Sequence, residues 1–148
     1  MPGFDVKAFM RAEITRRTAT VEIDTLSAFF PKNKKPVFTV QNLTAAEIAK
    51  VREAVTRNAA ARQALAKADK DGAAEEVTAA IQTLLQSTGG NLADEYVRYL
   101  TIITLGCKDP EIDLEAAKRL AKAAPVGFEA LALKILTITG LGGSIKKK

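Results

Sequence analysis

Residues Leu43 to Val55 spell a helix start at which local chemistry sets both the first helical residue and the direction of the incoming chain. The Thr44 hydroxyl can accept from the Glu47 backbone N–H, and the Glu47 carboxylate can reach back to the Thr44 N–H, which makes a reciprocal capping box. Leu43 before the cap and Ile48 after it are spaced for a hydrophobic staple. The chain before Leu43 must therefore arrive extended, so a β segment is expected to meet a helical body at this point.

The alternation Thr18-Ala19-Thr20-Val21-Glu22-Ile23 predicts a half-buried strand, with Val37 to Leu43 as its antiparallel partner. Pro31, Lys32 to Lys35 and Pro36 lie between them as a long connection, and a lone ribbon of this kind must lean on the helices or on another chain. Before the ribbon, Val6, Phe9, Met10 and Ile14 fall near one face of a short helix within Phe4 to Ile14, an arm.

Five main helices are expected after it. The first runs from Ala45 to about Ala68. A second is capped by Asp71 and stopped by Gly89 and Gly90. A third starts at Asn91 and ends at Gly106. Asp113 caps a fourth that runs through Ala123, and Pro125 forces a boundary before a fifth, Val126 to Thr139. That last helix carries Phe128, Leu131, Leu133, Ile135, Leu136 and Ile138 around most of its circumference, which marks it as central or partner-contacting. The fold class is mainly α (α+β): about five helices with a small N-terminal two-stranded antiparallel β-ribbon. Residues 1–140 form one globular domain, with 1–43 as arm and ribbon and 44–140 as helical body. Residues 141–148, Gly-rich and basic, are read as a disordered tail.

The 26 alanines and an aromatic share of 5% describe a core of closely approaching helices. The chain has no histidine and one cysteine, Cys107. That removes Ser/His and Cys/His nucleophile pairs, histidine metal sites and the commonest general base, and it excludes an intrachain disulfide. Asp94 and Glu95 at a helix start are explained by the helix dipole. Gly140 to Gly143 closes a helix where a phosphate loop would open one. No catalytic, cofactor or metal site is expected. The absence of a long apolar run and of a signal-peptide pattern points to a soluble, cytoplasmic protein with no membrane partner.

The formal charge of +5 includes Lys146, Lys147 and Lys148 at the end of the chain. Lys32, Lys34 and Lys35 form a second cluster, but no aromatic is interleaved to stack on bases, and Phe29 and Phe30 precede it. A helix-turn-helix over 113–139 would need polar reading residues where the second helix offers Phe128, Glu129, Leu131 and Leu133. These features argue against nucleic acid. The candidate partner-binding residues are Phe29 and Phe30 in the connection, and Leu131, Ile135 and Ile138 at helix-in-groove spacing.

The order of these features resembles the tail assembly chaperones of long-tailed bacteriophages: the amphipathic segment Phe4 to Phe9, the strand pair, the Val40-x-x-Leu43-Thr44-x-x-Glu47 lead into the first helix, and Leu114 to Leu120, Pro125, Phe128, Leu131 and Lys134 to Gly140 at the close. Ile138 stands where the family's terminal Leu-Thr-Gly has leucine. The resemblance implies a non-enzymatic protein in the host cytoplasm that binds the tape-measure protein and helps recruit tail-tube subunits, the major tail protein, during tail morphogenesis. It also implies a longer form made by ribosomal slippage, for which consecutive lysine codons at 146–148 would serve. A structural virion protein, such as a connector or completion factor, is the first alternative, and a DNA-binding regulator the second. Homo-oligomerisation through the ribbon or arm is a further expectation.

Overall fold

The computed structural model describes residues 3–71 and 93–147, with the side chains of 65–71 outside the description. In chain order the elements are α1 (Val6–Arg11), β1 (Glu13–Thr15), β2 (Thr18–Glu22), a 3₁₀ helix (Asp24–Phe29), β3 (Val37–Gln41), α2 (Ala45–Asp71), α3 (Asp94–Gly106), β4 (Cys107–Asp109), α4 (Leu114–Ala123), α5 (Pro125–Leu141) and β5 (Ser144–Lys146). The described residues thus hold six helical segments where about five helices were expected. The helix expected between Asp71 and Gly89, and the cap expected at Asn91, lie outside the described residues. α3 has Ala93 at its N-cap, with no side-chain cap.

The junction between sheet and helix is built as its residues dictate. Glu47 N–H donates to Thr44 Oγ1 at 3.2 Å, and Thr44 N–H donates to Glu47 Oε1 at 3.0 Å. Both halves of the capping box are made. Just before it, the buried Asn42 accepts from the Arg17 N–H through Oδ1 at 2.6 Å, and its backbone carbonyl takes the Arg16 guanidinium at 2.8 and 3.1 Å. Arg16 also pairs with Glu47. Leu43 N–H donates to Thr139 Oγ1 at 2.9 Å. One network therefore ties the start of β2, the end of β3, the head of α2 and the end of α5, and it satisfies polar groups that would otherwise be costly to bury.

β2 and β3 pair antiparallel, with Ala19 opposite Val40 and Val21 opposite Phe38. The expected two-stranded ribbon is in fact the larger part of a three-stranded sheet, ordered β2-β3-β4, because Cys107–Asp109 occupies the second edge of β3. An unpaired strand edge needs cover, and three residues reading Cys-Lys-Asp carry no β signal that would announce it. A second small sheet joins β1 to β5, with Glu13 opposite Lys146 and Ile14 opposite Ile145. Ser144–Lys146, within the segment expected to be a disordered tail, are thus paired to the arm.

α5 is the central helix. It packs on α3, α4, β2 and β3, burying Phe128, Leu131, Ala132, Ile135 and Ile138. Its N1 residue is Pro125, so Ala124 serves both as the C-cap of α4 and the N-cap of α5. It runs past Gly140 and stops at Gly142, whose φ of 72° is open to glycine at little cost. Asp113 caps α4 by accepting from Ala116 N–H at 2.8 Å. Tyr96 and Tyr99 of α3 set their rings against Phe128 at centroid distances of 5.8 and 6.3 Å.

Candidate partner-binding site

Leaving β2, the chain winds through the 3₁₀ helix before it returns as β3. With three residues per turn, Leu26 and Phe29 stack on one side of that helix. Phe30 then turns inward and meets Phe38 of β3 edge-on, with ring centroids 5.7 Å apart. A turn closed by Lys34 N–H to Pro31 O at 2.9 Å brings Lys34 and Lys35 alongside. Facing this segment, α4 contributes Ala116, Arg119, Leu120 and Ala123, and the chain beyond β4 adds Pro110 and Ile112. The space between is a groove of about 640 Å³. Its floor is apolar, and its charged lining residues are Lys34, Lys35, Arg119 and Asp109. Phe29 stands at its lip, 83% exposed.

A second groove of about 460 Å³ lies along α2 and α3. Leu43, Ile48, Val51, Val55 and Ile102 line it, with Leu136 of α5, and its charged residues are Arg52 and Arg98. Leu43 and Ile48, spaced for the staple, share this lining.

Of the residues singled out from sequence, the structure brings Phe29 and Phe30 together in the first groove. Leu131 and Ile135 are 0% exposed and Ile138 is 5% exposed, so these three belong to the core rather than to a free docking stripe. The reason is physical. A helix apolar around most of its circumference does not reveal in sequence which face its own chain will cover, and here the face bearing Leu131, Ile135 and Ile138 is covered. Val126, Leu133, Leu136 and Leu141 are the exposed large apolar residues of α5. Sequence reasoning missed Leu26, Ile112, Arg119 and Leu120. A signal for Leu26 was present in its spacing of three from Phe29, and one for Arg119 and Leu120 in the run Ala116-x-x-Arg119-Leu120-x-x-Ala123 behind the Asp113 cap.

Cys107 is buried on β4, and burial pushes its thiol up to about 12, far from the thiolate a nucleophile requires. Asp94, at the head of α3, accepts from Asn58 Nδ2 at 3.1 Å and pairs with Arg62 at 2.6 Å, which makes it a joint between α2 and α3. Among the described residues no group of three or more metal-ligating side chains converges, and no helix is long and apolar enough to cross a membrane. Comparison of the chain with protein-family models, with curated proteins and with solved structures finds no match.

Proposed function

We propose that this chain is a tail assembly chaperone of a long-tailed bacteriophage, acting in the host cytoplasm to bind the tape-measure protein and to help recruit tail-tube subunits. The observation that carries the reading is the apolar groove of about 640 Å³ that holds Phe29 and Phe30 and is flanked by Lys34, Lys35 and Arg119. Its support is the resemblance already described, together with the Val40 to Glu47 lead, whose capping box is made as its residues require. A tape-measure protein is long and helical, and apolar helical stripes exposed before assembly are the surfaces an apolar groove shields.

Co-expression of the tagged chain with the longest open reading frame encoded next to it tests the proposal. The expected outcome is a soluble complex of the two, and purified virions that lack the chain. Recovery of the chain in purified virions would assign it a structural role, and retention on duplex DNA at physiological salt would assign it a regulatory one.

A further inference from the structure

We propose that the groove between the 3₁₀ helix and α4 selects a partner helix by sign of charge, accepting an apolar stripe whose flanking positions carry Asp or Glu. In naming the partner as a segment of the tape-measure protein, the inference rests on the function proposed above.

Leu26, Phe30, Phe38 and Leu120 supply an apolar trough. Lys34 and Lys35 stand on one wall and Arg119 on the other, all three exposed, against the single carboxylate of Asp109. None of the three cations is engaged: the ion pairs among the described residues are Arg16–Glu47, Arg62–Asp94, Arg98–Glu95 and Lys118–Glu115. Long cationic side chains can lay their methylene stems along apolar surface while their heads stay in water, where they meet whatever flanks a docked apolar stripe.

The second groove is also cationic: among the described residues its charged lining residues are Arg52 and Arg98, the latter paired with Glu95. Lysine and arginine outnumber aspartate and glutamate only 22 to 17 along the chain, yet among the described residues the two grooves together are lined by five cations and one carboxylate. An apolar floor disfavours nucleic acid, which presents phosphate and polar base edges. A helix with acidic flanks satisfies floor and rim together. Complementary rim charges act mainly on partner choice and encounter rate, so the groove discriminates among apolar helices more than it adds to affinity.

The test uses the full chain and two synthetic helical peptides of roughly 18 residues, a length at which an isolated helix can form. Both carry the same Leu/Ala stripe, flanked by Glu in one and by Lys in the other, and binding is read by fluorescence anisotropy. The acidic peptide is expected to bind tighter by about tenfold or more, with the advantage shrinking as salt rises. The triple variant Lys34→Glu, Lys35→Glu, Arg119→Glu changes only exposed side chains, and circular dichroism checks that it folds. It should reverse the preference, whereas Phe29→Ala should weaken both peptides alike.

Equal binding of the two peptides, or a preference unmoved by the triple variant, overturns the inference. So does duplex DNA binding that the triple variant abolishes, and so does a dimer of the chain that Phe29→Ala dissolves. Equal retention of tape-measure protein by wild type and triple variant would sink the groove inference and leave the proposed function standing. Failure of the wild type to retain that protein, with the peptide preference intact, would sink the function and leave the charge selection standing.

Discussion

Glu47 is asked to do more than a sequence reading assigns to it. As the far half of a capping box it returns one hydrogen bond to Thr44 N–H, but it also receives Arg16, which in turn holds the Asn42 carbonyl. Thr44→Ala should lower stability by about 0.5–2 kcal/mol through loss of the cap. Glu47→Ala should cost at least as much, because it removes the reciprocal bond and the Arg16 pair together; equal melting curves for Glu47→Ala and wild type would show that the network adds nothing. Cys107 allows a second prediction. Its folded pKa lies above the ordinary thiol value of 9.0, so folding favours the neutral form. The contribution is present in full below pH 9 and is lost as pH rises toward 12, where the unfolded chain ionises first. The stability of wild type relative to Cys107→Ala should fall by up to about 1.4 kcal/mol per pH unit over that window. A pH-independent difference in denaturant titrations would place the thiol in contact with solvent.

At the scale of elements, α3 and α5 approach closely at Gly106. A Cβ there would lie 2.6 Å from Ile135 Cδ1 and under 3.0 Å from two further Ile135 carbons. Alanine is favoured over glycine in a helix by about 1 kcal/mol, but Ile135 is wholly buried and has no room to swing away. Overpacking should win, and Gly106→Ala should destabilise by about 1–3 kcal/mol. Ile135→Val removes the Cδ1 that is struck first, so the double variant should be less destabilised than the two single changes added together; strict additivity in thermal melts would contradict the close contact. The same interface explains what was legible in the sequence. Helix ends marked by Thr44, Asp113, Pro125 and Gly106 stand where their chemistry puts them, because caps and breakers act within a few residues. β4 and β5 were not legible. Each is three residues long, and each exists because a distant edge, that of β3 or of β1, was there to be paired.

For the whole molecule, the grooves were half legible for a related reason. Phe29 and Phe30 announce themselves as aromatics in a polar connection, but Arg119 and Leu120 join them only through tertiary packing. Leu131, Ile135 and Ile138 were turned inward by a choice of face that an all-round apolar helix does not record. For the self-association expected through the ribbon or arm, we propose the arm end. The β2–β3 ribbon is covered by β4 along one edge and by α5 on a face, whereas α1 buries no residue and all six residues of β1 and β5 are exposed. Ile14 and Ile145 stand opposite each other in register, 58% and 59% exposed, with Phe4 and Met10 exposed nearby in sequence. A two-stranded sheet is marginal in water and gains by adding a strand or a covering surface. Sedimentation of the chain should therefore show concentration-dependent association. The change Ile14→Lys with Ile145→Glu should suppress it while moving the melting midpoint little, since neither side chain contributes to the core. A strict monomer at the highest attainable concentration, or association untouched by the pair of substitutions, would remove the arm from the interface.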